Sequence, residues 1–268
     1  MSIRPPAFAG SWYEGVPERL DADVRAMLPK DVEPAPAIGA IVPHAGYVYS
    51  GPVAGAVYAR LEIPPVAIIL CPNHTGRGSP AALDPSDSWR TPLGDVAVDR
   101  KLARRVLELA SSLEEDAAAH TREHSLELQL PFLQIRRPDV RLVPISIGTR
   151  DLELCREIGE ALAVAASEEA EPPILLASSD MNHYESRRVG RAKDDRALAR
   201  VEALDPEGLF ETVFAENISM CGVLPATALL FAARRRNARS AAVVARRDSG
   251  DETGDATSVV GYAGVIVT

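Results

Sequence analysis

The sequence holds five histidines and three cysteines, and three of the histidines stand in the same kind of place. An apolar run followed by a turn ends in His44 (IGAIVPH), in His74 (VAIILCPNH) and in His183 (ILLASSDMNH). Imidazole is the commonest metal ligand and the side chain best suited to move protons near neutral pH. A histidine that only packs in a core usually sits within an element, whereas these stand where a strand stops. Three at equivalent strand ends are hard to explain by packing, and they predict one shared site. Cys221, in SMCGVLPAT, directly precedes a helical pattern, where the positive end of the helix dipole favours a thiolate. It reads either as a metal ligand or as a small buried hydrophobe. Cys71 and Cys155 fall inside an expected strand and helix and read as core. Asp180, shortly before His183, is placed either to orient a ring nitrogen or to cap the following turn.

Two hydrolase readings compete. HTREH (120–124) fits the inverted zincin pattern, in which two histidines one helical turn apart hold zinc and Glu123 activates water. That reading requires a continuous helix through His120 and His124. A serine hydrolase using Ser178 or Ser179 with His183 lacks the G-x-S-x-G elbow. The acidic stretch 247–258 lacks the ligand order of a calcium loop and reads as a solvated connection.

The elements that must position these residues follow from hydrophobic period. Short Ile-, Val- and Leu-rich runs predict strands at 38–42, 66–71, 141–148, 174–178, 241–246 and 259–267. Between them, helical period predicts helices at 53–61, 99–110, 123–134, 151–166, 189–203, 205–216 and 224–236. This alternation is that of an α/β protein whose largely parallel sheet is covered by helices, and ligands of such sheets bind beyond the carboxyl ends of the strands. The segment 71–94 is too long for a passive connection and is expected to cover the site, with Trp89 as its lid residue. No segment reads as an interdomain linker, so residues 1–268 are expected to form one domain.

Composition narrows the function classes. With 46% hydrophobic and 25% charged residues, the chain resembles an ordinary globular protein. The net charge of −9 and the scattered Lys and Arg argue against nucleic-acid binding. No apolar run approaches a membrane span and the start lacks a secretory pattern, so no membrane association and a cytoplasmic location are expected. An odd number of cysteines fits reduced thiols.

Six blocks in order, RPPAFAGSWYEG, PHAGYVYSG, CPNHTG, EHSLELQLPFL, SSDMNHYE and CGVLPA, resemble those of the Memo family, which includes the proteins labelled component B of the AmmeMemoRadiSam system. The resemblance spans nearly the whole chain. It implies a three-layer α/β/α fold with a mostly parallel or mixed sheet, similar to the class III extradiol dioxygenases, whose non-haem iron is held by two histidines and a carboxylate. It further implies His44, His74 and Cys221 as metal ligands, with Asp180 and His183 lining the same pocket. There His183 is expected as the catalytic acid/base group and Asp180 as the residue that orients it. His124, Tyr47 and Asn73 lie in matching blocks and are expected at the pocket, whereas His120 lies outside them. The implied cofactor is one transition metal, iron or copper, with zinc also compatible. Because a thiolate stands where the dioxygenases have a carboxylate, dioxygenase activity does not follow. The expected function is a metal-dependent redox reaction on a small substrate, aromatic compounds included. A peptide- or protein-binding module and a metal-handling protein are the alternatives. The system label suggests association with a radical-SAM protein and an AMMECR-type protein.

Overall fold

The computed structural model describes residues 2–268. Its strands are β1 (Ile3–Arg4), β2 (Gly39–Val42), β3 (Val66–Pro72), β4 (Ala81–Leu83), β5 (Ser88–Thr91), β6 (Gly94–Ala97), β7 (Glu114–Glu115), β8 (Arg141–Ile147), β9 (Ile174–Ser178), β10 (His183–Glu185), β11 (Ala241–Asp248) and β12 (Val259–Val267). Its α-helices are α1 (Pro17–Met27), α2 (Tyr47–Arg60), α3 (Arg100–Leu109), α4 (His124–Glu127), α5 (Leu130–Arg136), α6 (Leu152–Ser167), α7 (Arg187–Glu202), α8 (Pro206–Ala215), α9 (Val223–Arg235) and α10 (Gly250–Thr253).

One sheet carries the site. Its order is β10-β12-β2-β9-β3-β8-β4-β7, with β11 also paired to β12. The four central strands β2, β9, β3 and β8 run parallel. Antiparallel β12 flanks β2 and antiparallel β4 flanks β8, so the sheet is mixed. Every residue of β2, β3 and β9 is buried, which explains why these segments read as unbroken apolar runs: a strand covered on both faces has no polar side to alternate with.

Helices supply the two covers. A Cβ on Gly39 of β2 would meet Leu229 of α9, whereas one on Gly264 of β12 would meet Val53 and Val57 of α2. Because Val265 pairs with Ile41, these glycines point to opposite faces, and the architecture is a three-layer α/β/α sandwich. Helix α9 is buried from Val223 through Ala233 and packs tightly on α6. That approach depends on Gly159, where a Cβ would lie 2.5 Å from the Ala228 carbonyl oxygen. A methyl there would overpack the layer at a cost of about 1–3 kcal/mol.

Three expectations need correction. Segment 71–94 is not a lid: it contains β4 and β5, and the turn after β5 leads into β6. Trp89 is fully buried, with the Arg4 guanidinium 4.3 Å above its ring, so it cannot open and close over a site. The helix expected over 123–134 is two helices, α4 and α5, and Pro131, which has no N–H to donate, falls in the first turn of the second. Helix α2 also starts earlier than its periodicity indicated, at Tyr47. No described helix is long and apolar enough to cross a membrane.

Candidate metal centre

The parallel strands deliver their following residues to one edge. His44 comes two positions after Val42 ends β2, His74 two after Pro72 ends β3, and Asp180 two after Ser178 ends β9. Since β9 lies between β2 and β3, Asp180 rises between the two histidines. Cys221 arrives from the opposite direction, in the turn before α9. That turn fits against β9 only because residue 222 is glycine: a Cβ there would lie 2.3 Å from the Ser178 carbonyl oxygen.

The convergence is close. One ligand atom from each of His44, His74 and Cys221 lies within 4.8 Å of the other two. His44 Nε2 is 3.2 Å from Cys221 Sγ. Metal bonds of about 2.0–2.1 Å to imidazole and about 2.3 Å to thiolate place tetrahedral ligand atoms roughly 3.3–3.8 Å apart, so this donor set fits one transition-metal ion with little adjustment.

The nitrogens turned away from the centre are occupied. His74 Nδ1 lies 2.9 Å from Glu123 Oε1, and Glu123 also accepts the His74 main-chain N–H and the main-chain N–H and hydroxyl of Ser125. Burial alone would push the Glu123 carboxyl up, but the hydrogen bonds from His74 and Ser125 outweigh it and hold it at about 2. Its oxygen is an acceptor, so His74 Nδ1 is the donor of that bond, and Nε2 is the ring nitrogen left for the cluster. A carboxylate behind a ligating imidazole is a common device for orienting the ring. His44 Nδ1 lies 2.9 Å from Ser178 Oγ. Burial, reinforced by the neighbouring His74, pushes His44 well below the ordinary imidazole range and keeps its ring neutral.

His183 opens β10 and completes a second overlapping cluster, with Asp180 and Cys221. Its ring is oriented by Ser219, whose carbonyl oxygen lies 2.9 Å from His183 Nδ1, and not by Asp180. Asp180 instead accepts the main-chain N–H groups of His44 and Ala45 through Oδ1, so it shapes the turn that presents His44. Its other oxygen is 4.0 Å from His44 Nε2. Burial pushes the Asp180 carboxyl up and, with Asp180 beside it, pushes the Cys221 thiol up. The Asp180 main-chain N–H points at Cys221 Sγ from 3.2 Å, an arrangement that favours sulfur as an anion.

His124 stacks on His74 with ring centroids 4.6 Å apart and forms a further candidate cluster with His74 and Glu123. Burial and the neighbouring His44 push it down to about 3. The other two expected pocket residues lie outside these clusters. The Tyr47 hydroxyl donates to the Leu128 carbonyl at 2.6 Å in the core, and Asn73 folds its own loop by accepting from Thr75 and Gly76. The zincin reading fails on geometry. His120 closes a short 3₁₀ turn and His124 begins a separate helix. His120 is fully buried with Nε2 on the Ala82 carbonyl, away from the cluster.

The cover that sequence reasoning assigned to Trp89 comes from the other end of the chain. Trp12 packs on His124 at 4.2 Å between centroids, and Phe8 meets it edge-on. Glu127 ties this segment down: it pairs with Arg4 and accepts the N–H groups of Ala7 and Phe8 and the Tyr13 hydroxyl. The pointer in the sequence was the aromatic block AFAGSWY, together with an acidic residue at an otherwise apolar position of ELQLPFL.

Comparisons with known proteins agree with the fold and cover the whole site. Residues 4–266 match the family Memo, described as Memo-like protein. A "MEMO1 family protein" of Methanosarcina acetivorans is 38% identical over 100% of both chains, and one of Pyrobaculum arsenaticum is 38% identical over 99% of each. Among solved structures, an uncharacterized protein of Escherichia coli K12 superimposes with a TM-score of 0.51 at 17% identity, covering 79% of this chain and 89% of that one.

Proposed function

The chain belongs to the Memo family, and on that premise we propose that it is a metal-binding protein that holds one transition-metal ion, iron or copper, through His44, His74 and Cys221 and uses it in redox chemistry on a small substrate. The observation that carries this reading is the convergence of three donors from separate segments, two of them imidazoles whose outer nitrogens are already occupied by a hydroxyl and a carboxylate. With their outer nitrogens held by other groups, both rings are left to turn the remaining nitrogen toward one sulfur, the arrangement that a shared metal ion would use.

When bound, such an ion would act as a Lewis acid and electron carrier, and two imidazoles with a thiolate suit copper and iron, with zinc compatible in geometry. The remaining work falls to protein groups. His183, with its proton fixed on Nδ1 by Ser219, offers Nε2 as a proton acceptor at the edge of the cluster. Asp180 beside it is held toward its protonated form by burial and is the matching proton donor. Phe8 and Trp12 exclude water from the His124 side.

Metal analysis tests the reading. Protein purified anaerobically without chelator should carry about one iron or copper per chain, and His44→Ala and Cys221→Ser should each lose it while keeping the native circular dichroism spectrum. Native protein that takes up no metal even on reconstitution overturns it.

A further inference from the structure

Ser178 closes β9, and its hydroxyl has three partners whose chemistry fixes the direction of every hydrogen bond. The amide nitrogen of Gln129 lies 3.1 Å from the Pro43 carbonyl oxygen and 2.8 Å from Ser178 Oγ, while Gln129 Oε1 accepts the Tyr58 hydroxyl at 2.9 Å. A carbonyl oxygen only accepts, so the group facing Pro43 is the NH₂, and its second proton goes to Ser178. Ser178 Oγ also lies 2.6 Å from the Ser125 carbonyl oxygen, again a pure acceptor, so the hydroxyl proton goes there. A hydroxyl has one donor and two lone pairs. One lone pair is taken by Gln129, and the one left faces His44 Nδ1 at 2.9 Å, which must therefore donate.

We propose that Ser178 is a positioning residue of the metal centre: directed by Gln129 and Ser125, its hydroxyl locks His44 as the Nδ1–H tautomer and so delivers the Nε2 lone pair to the side of Cys221. The proposal rests on the metal-centre reading of His44. The opposite tautomer would set two acceptors against each other at Ser178 or turn its hydroxyl away from the Ser125 carbonyl oxygen. The lock also disposes of Ser178 as a nucleophile, because its proton is held by a main-chain oxygen rather than by a base. Three different groups thus impose one tautomer: a hydroxyl on His44, a carboxylate on His74 and a main-chain carbonyl on His183.

The test begins with metal-free, ¹⁵N-labelled full chain at pH 8, where a long-range ¹H–¹⁵N correlation resolves the five imidazoles and His44→Ala assigns the signal of interest. The expected His44 pattern is a protonated Nδ1 and an unprotonated Nε2; the reverse tautomer or an even mixture overturns the proposal, and the decision requires only that the assignment variant His44→Ala folds. Ser178→Ala should then mix the tautomers and weaken Co(II) binding by about 10- to 100-fold, with Ser178→Thr restoring both. A single Nδ1–H tautomer surviving in Ser178→Ala overturns the role of Ser178. Wild-type protein that shows the expected tautomer but takes up no Co(II) supports the lock and removes the metal-centre reading instead.

Discussion

His44 Nε2 and Cys221 Sγ lie 3.2 Å apart at the edge of the central sheet, although one follows the first of its parallel strands and the other precedes the buried helix α9. Softness of the donor set then depends on a single sulfur. Cys221→Asp should convert the site to two histidines and a carboxylate, a set that favours harder ions. Competition titrations should show Cu(I) affinity falling by roughly tenfold or more, about 1.4 kcal/mol, with Fe(II) binding retained. Equal losses for both ions would count against Cys221 as a direct ligand.

Glu123→Gln removes the charge that orients His74. The buried carboxylate accepts four hydrogen bonds, and an amide with one acceptor oxygen cannot replace them. Metal affinity should fall by about 10- to 100-fold. The carboxyl is held down at about 2 against an ordinary 4.5, so its contribution to stability is present above pH 4.5 and lost as pH falls from there toward 2. Urea unfolding across that range should show a steep slope in the native protein and a shallower one in the variant.

Glu127→Ala strips Arg4, Ala7, Phe8 and Tyr13 of their shared partner. Leaving Arg4 buried without its carboxylate should cost about 3–5 kcal/mol. The expected signature is local as well as global: faster amide exchange at Ala7 and Phe8 and a red shift in Trp12 fluorescence, read in a Trp89→Phe background so that one indole reports.

Asp194 acts in the opposite sense on pH. It accepts the Asn182 main-chain N–H beside His183, and burial pushes its carboxyl up to about 6 despite Arg246 nearby. The folded chain therefore holds this proton longer than the unfolded chain, so the associated stability is full below about pH 4 and is lost as pH rises through 6. The effect is at most about 3 kcal/mol. Asp194→Asn should flatten the dependence of unfolding free energy on pH between 4 and 6, and an unchanged slope would contradict the assignment.

Legibility differed by element for physical reasons. The buried strands β2, β3, β8, β9 and β12 were readable because burial on both faces leaves continuous apolar runs, and the strand-end histidines were readable because sheet topology fixes where strand ends meet. Helix α1 was missed, since PERLDADVRAM is mostly polar and buries only Leu20 and Val24. Trp89 was misplaced because its cover, the Arg4 guanidinium, comes from a residue far away in the chain. The carboxylate behind His74 was seen only as the water-activating group of the zincin pattern, for HTREH is a local pattern, whereas the hydrogen bond from His74 to Glu123 exists only through the fold. Gln129 gave no signal and Ser178 was weighed only as a nucleophile, because their shared role lies in the direction of protons.

The position of β12 has a consequence for how the protein is made. This strand sits between β2 and the pair β10 and β11, so residues 259–267 hold together the segments that carry His44 and His183. During vectorial synthesis His44, His74, His183 and Cys221 all leave the ribosome before that strand does. The nascent chain then exposes the edge of β2 and four donor side chains without the scaffold that arranges them, and long-range pairing of this kind is slow. An ion captured at that stage would meet a flexible set of ligands with no geometric preference. Selectivity between metals would be established only after the final strand has docked.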